Sequence, residues 1–233
     1  MNAAVPAALD AVLKHPGIWR RSASAQAHVR ALSTGLPELD ALLPGGGWPC
    51  GALSEILFAN DGTGELSLLM PALAELTRRQ QRVVFVAPPY IPYAPALDAY
   101  GLDLRFVVQI ESTASEGAWS AEQCLRSGSC GAVLGWLPQA DYTLLRRLQL
   151  AAESGDALAF LFRPAGAAGK PSPAALRLQL RTGGDDDVAD GAPASASVDI
   201  EILKCRGHLD RRRPTRFRWT RSSGSAVPDV LIA

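Results

Sequence analysis

FANDGTGELSLL, residues 58–69, joins two stretches of different periodicity. Before it, ALSEILF (52–58) is an apolar run of strand length. After it, Leu66, Leu69, Met70, Leu73 and Leu76 recur at the spacing of one helical face over residues 64–79, although Pro71 should start or bend a turn. Strand, glycine loop and helix in that order form the unit in which backbone N–H groups can wrap a phosphate. A working loop of the form G-x-x-x-x-G-K-[ST] uses its lysine to neutralise the β and γ charges and its hydroxyl to bind magnesium. Here that spacing puts Ala59 at the first glycine, Gly64 at the second, Glu65 at the lysine and Leu66 at the hydroxyl. An anion in the lysine's place turns about 1–4 kcal/mol of attraction at ~4 Å into repulsion of similar size. Glu65 reads more simply as a first-turn carboxylate facing the positive end of a helix dipole, and NDGTG as a tight turn. The expectation is a degenerate phosphate loop.

The neighbouring strands lack the remaining parts. A nucleotidase needs a carboxylate after VVFV (83–86) and an aspartate closing GAVLGW (131–136), and those places hold Ala87-Pro88-Pro89 and Gly135-Trp136. Three absences together argue against an enzyme. No catalytic residue, cofactor or metal is expected, since His15, His28 and His208 are scattered.

Around this unit the pattern alternates. RVVFVAPP, RFVVQIE, CGAVLGWL and ALAFLFRP read as short buried strands, separated by helices in PALDAYGLDL, AWSAEQCLRSG and ADYTLLRRLQLAAESG. That order predicts an α/β fold with a mostly parallel sheet flanked by helices. Beyond Pro164, ALRLQLR and VDIEILKCRG alternate like strands at a sheet edge, and residues 183–197 between them are too polar to pack. The organisation is an N-terminal arm (1–32), a core (33–210) with a flexible loop at 183–197, and a basic C-terminal tail (211–233). Within the core, Ser33 or Thr34 is positioned to cap a short helix carrying Leu36, Leu39 and Leu42, and GGGWP (45–49) forces a loop.

Charge is balanced at 23 basic and 23 acidic residues, so attraction to nucleic acid or membrane has to be local. It is local in the tail. From Lys204 to Arg221 eight basic residues face one acidic, with Phe217 and Trp219 interleaved in RRRPTRFRWT. Arg211, Arg212, Arg213, Arg216 and Arg218 can meet phosphates of single-stranded DNA while Phe217 and Trp219 stack on bases; a solvated tail docking on an acidic partner is the alternative. Trp136 is a partner contact at a strand's carboxyl end or a core ring, and Trp48 sits on the glycine loop. Cys50, Cys124, Cys130 and Cys205 form no C-x-x-C pair and read as reduced structural thiols of a cytoplasmic protein without a membrane span.

STGLPELDALLPGGGWPCGALSEI (33–56) resembles the opening of the RecA recombinase core. From Ser54 to Leu180 the chain also resembles SulA, the SOS-induced division inhibitor, in GWL (135–137) and in G-x-A-x-x-F-x-x-RP (155–164). Both together, followed by EILKCRG and the basic tail, resemble the ImuA family over roughly residues 30–221. That resemblance implies a RecA-like fold and a non-catalytic adaptor of DNA-damage-induced, error-prone translesion synthesis. Its implied partners are ImuB, RecA and an error-prone replicative-type DNA polymerase. The alternative is a SulA-like inhibitor of FtsZ.

Overall fold

The computed structural model describes residues 30–59, 63–182, 197–207 and 215–220. Strands β3 (Ala52–Phe58), β4 (Arg82–Val86), β5 (Val107–Ile110), β6 (Cys130–Trp136), β7 (Leu158–Pro164), β8 (Leu176–Thr182), β9 (Ser197–Cys205) and β10 (Thr215–Thr220) form one sheet of order β10-β9-β8-β3-β7-β6-β4-β5. The six strands from β8 to β5 run parallel; β9 is antiparallel to β8, and β10 to β9. A two-residue pair, β1 (Ala31–Leu32) with β2 (Trp48–Pro49), stands apart from it. Helices α1 (Pro37–Leu42), α2 (Met70–Arg78) and α3 (Ala94–Ala99) contribute to one apolar core, and α4 (Ala114–Arg126) and α5 (Tyr142–Gly155) to a second on the other face. The mixed α/β architecture with a mostly parallel sheet is therefore as the alternation predicts.

Burial on both faces explains the continuous apolar runs of β3, β4, β6 and β7. Ile56 and Phe58 point into the first core, Leu53 into the second. One exception to that apolarity is Glu55, fully buried on β3 between Arg163 of β7 and Arg177 of β8. The helices on the second face pack closely. A Cβ on Gly155 would lie 1.8 Å from the Leu125 carbonyl oxygen, so α5 reaches α4 only because that position has no side chain.

Several local expectations need correction. Ser33 and Thr34 do not cap α1: Leu36 holds the N-cap position, while Ser33 Oγ and Thr34 N–H donate to the Asp40 carboxylate at 2.6 and 2.8 Å. Residues 65–69 are turns and α2 starts only at Met70, with Pro71 in its first turn where its missing N–H costs nothing. Glu65 is thus not a first-turn helix carboxylate. β8 and β9 lie inside the sheet, and the edge is β10, built from residues 215–220 that sequence reading assigned to a tail. Residues 215–220 accordingly belong to the sheet. Most of the segment 183–197, and Arg211, Arg212 and Arg213, lie outside the described residues.

Candidate functional site

Three chain segments meet at the carboxyl ends of β3, β4 and β6, the edge where open α/β sheets bind ligands. From β3 come Ala59, exposed where the strand ends, and then Gly64 at φ +96°, which lets the chain turn back so that Glu65 and Leu66 are buried. From β4 comes a proline-rich bend, Pro88, Pro89 and Pro92, entered through Ala87 at φ +50°. A non-glycine residue there stores about 1–2 kcal/mol, and the Ala87 N–H bond to the Ile110 carbonyl at 2.9 Å helps to hold it. From β6 comes Trp136.

These segments line one shallow groove among the described residues. Glu65, Leu66, Pro88, Pro89, Tyr90, Pro92 and Trp136 surround a cavity of about 20 Å³, room for a water or so. The registers Val86↔Gly135 and Trp136↔Phe162 bring Ala87, Pro88 and Trp136 to the same end of the sheet. No cluster of metal-binding side chains occurs among the described residues.

The two candidate tryptophans are core residues. Trp48 is fully buried and packs edge-on against Phe160, with centroids 5.1 Å apart. It lies in β2, not on an exposed loop, because Leu32 pairs with it and shelters it. Trp136 stacks between Phe162 (4.5 Å, 21°) and Phe85 (6.1 Å, 15°), leaving only its margin toward the groove. In β10, Phe217 and Trp219 pack on the first core, while Arg216 pairs with Glu201 at 3.2 Å and Arg218 with Asp199 at 3.1 Å. The four described members of this segment thus lie in β10, the two rings on the core and the two exposed arginines in ion pairs across the strands. The acidic partners are in this chain, 15 and 19 residues upstream.

This edge also exposes large apolar side chains. Tyr90, Ile91 and Tyr93 project from the proline-rich bend with 45, 64 and 40 % of their surface exposed. Tyr142, the first residue of α5, is also exposed, and a helix start follows a strand's carboxyl end, so it belongs to the same end of the sheet; Trp119, in the middle of α4, is exposed as well. Sequence reading missed this group because an aromatic in PPYIPY looks the same whether it packs or projects. The only available signal was the three prolines, which keep that segment out of helix and strand alike.

Comparison with known proteins places these elements in a family. The model of the family described as cell division inhibitor SulA matches residues 51–159, which span β3 to the start of β7. The cell division inhibitor SulA of Yersinia pestis (strain Pestoides F) is 30% identical over 115 residues, 49% of this chain and 68% of that protein. The SulA of Edwardsiella piscicida is 35% identical over 101 residues, 42% of this chain and 60% of that protein. A crystal structure of SulA from Pseudomonas aeruginosa aligns at 24% identity with a TM-score of 0.42, covering 48% of this chain and 97% of that one. These relatives overturn the translesion-adaptor expectation and, with it, ImuB, RecA and the error-prone polymerase as partners: the matched sequences are division inhibitors. The SulA part of the resemblance holds, while the narrower ImuA assignment does not follow from it. On the identity and coverage of these relatives, the chain belongs to the SulA cell division inhibitor family.

Proposed function

We propose that this protein inhibits cell division by binding FtsZ as part of the SOS response, using a RecA-like frame whose phosphate loop is degenerate and turns over no nucleotide. The reading rests above all on the lining of this groove. Glu65, Leu66, Trp136 and the proline bend surround about 20 Å³. An anion, an aliphatic chain and an indole are poor company for a triphosphate and its metal, which supports a frame without nucleotide turnover. What the same edge offers instead is the exposed Tyr90, Ile91 and Tyr93, the kind of aromatic and aliphatic anchors that dominate protein interfaces.

Two measurements test this. Titrated into polymerising FtsZ, the purified full chain should suppress GTP hydrolysis at a stoichiometric ratio. GTP hydrolysis unchanged at excess inhibitor rejects the proposal. Magnesium and ATP should give no saturable binding by calorimetry, and a fitted site with phosphate release would reject the degenerate-loop part.

A further inference from the structure

Trp119 has 62 % of its surface exposed and Leu150 44 %, and the two stand on neighbouring helices. Helices α4 and α5 each connect parallel strands and cover the same face of the sheet, so they run side by side in one direction. Their seam is tight. Toward its carboxyl end a Cβ on Gly155 would strike the Leu125 carbonyl oxygen, and nearer the middle Arg147 reaches across to Glu122. Glu122 is buried in the seam and also takes Arg126 Nη2 at 2.9 Å.

Helical spacing fixes what the pair presents outward. The buried positions Gly117, Ala121 and Leu125 turn α4 toward the sheet, and Leu145, Leu148 and Ala152 do the same for α5. Trp119 and Arg126, seven residues apart, share the outer side of α4, and Arg146 and Leu150, four apart, form a row on the outer side of α5. The charges there do not balance. Of the three carboxylates on these helices, Glu116 belongs to the capping box that starts α4, and Glu153 accepts from Gln149 Nε2 at 2.8 Å and lies 3.8 Å from Arg206. That leaves Glu122 alone for Arg126, Arg146 and Arg147. It is bonded to two of them, and Arg146 pairs with no carboxylate among the described residues.

We propose that the outer face of α4 and α5 is a docking surface for an acidic amphipathic helix of a partner protein, whose apolar side chains cover Trp119 and Leu150 and whose carboxylates meet Arg146 and the outward sides of Arg126 and Arg147. An indole held on a rigid helix loses little freedom on docking, and tryptophan and arginine are the side chains that most often anchor an interface. The row of Arg146 and Leu150 is a ridge of the kind against which a third helix packs. A second copy of this chain does not fit, because a two-fold related face would bring the three arginines against themselves. Nucleic acid and anionic membranes call for a broad cationic field, whereas this chain balances 23 basic with 23 acidic residues. The surface is independent of the FtsZ reading, which rests on the groove and the proline-rich bend.

The test titrates the full chain into a fluorescent peptide of Glu, Leu and Ala in amphipathic helical order and follows anisotropy, with a second peptide carrying Lys for every Glu. The acidic peptide should bind saturably and the lysine peptide at least about tenfold more weakly. Arg146→Glu and Trp119→Ser, both at exposed positions, should each weaken the acidic peptide about tenfold with unchanged circular dichroism. On the wild-type chain, hydroxyl-radical footprinting should show Trp119 and Leu150 protected by the bound peptide, a readout that needs no variant. Absence of saturable binding, equal binding of the two peptides, an unchanged affinity in Arg146→Glu, or protection of Tyr90 and Ile91 in place of Trp119 would each overturn the surface. Tighter binding of single-stranded DNA or of phosphatidylglycerol vesicles to the same arginines would overturn the choice of a protein partner.

Discussion

Arg163 Nη1 lies 2.6 Å from Glu55 Oε1, an ion pair between adjacent parallel strands that is closed to solvent on both sides. Arg177 Nε reaches the other carboxylate oxygen at 2.7 Å from β8. The spare donors are used to fasten loops: Arg163 Nη2 donates to the Ala140 carbonyl at 2.6 Å, and Arg177 Nη2 to that of Ala167 at 2.8 Å. One carboxylate therefore bridges two guanidinium groups that together hold the β6–α5 connection and the turn after β7. Removing it leaves two buried cations facing each other. Glu55→Ala should cost about 3–5 kcal/mol in urea unfolding, whereas Arg216→Ala, at the exposed pair with Glu201, should cost less than about 1 kcal/mol.

Trp48 supplies a second large term. Its ring is fully buried against Phe160, and its indole N–H has no hydrogen-bond partner. Trp48→Ala opens a cavity and should destabilise by about 3–5 kcal/mol. Trp48→Phe keeps most of the packing and deletes the orphaned donor, so its loss should be less than half that in the same urea titration.

The start of α4 carries a pH-dependent contribution. Thr113 accepts from the Glu116 N–H while the Glu116 carboxylate takes the Thr113 N–H at 3.1 Å and its hydroxyl at 2.6 Å. Those bonds, the hydroxyl first, hold the Glu116 carboxyl below its usual 4.5. Because the folded value is depressed, this stabilisation is present above about pH 4.5 and is lost as pH falls through the lower folded value. Thermal melts of Glu116→Gln should lose less stability than wild type between pH 5 and about 3, and Thr113→Ala should cost about 1 kcal/mol at neutral pH.

The exposed bend offers a functional prediction. Ile91→Asp and Tyr90→Ser change side chains with 64 and 45 % exposure, so stability should move by no more than about 0.5 kcal/mol. Suppression of FtsZ GTP hydrolysis should weaken about tenfold or more for Ile91→Asp, equivalent to roughly 1.4 kcal/mol of lost contact. An unchanged inhibition curve with a correctly folded variant would place the FtsZ contact elsewhere on the molecule.

The chain's parallel strands are legible residue by residue. Runs such as RVVFV and CGAVLGW are apolar on both sides because both sides are covered, and that covering is written into local composition. Tertiary structure alone decided the partners across distance. Arg216 and Arg218 look like a solvated tail until Glu201 and Asp199 are brought opposite them in β9, and Trp48 looks exposed until Leu32 and Phe160 close over it. Glu55 and its two arginines, 108 and 122 positions away in the chain, become one cluster only when β7 and β8 take places on either side of β3. Periodicity reports whether a side chain is covered; it carries no information about which distant residue does the covering.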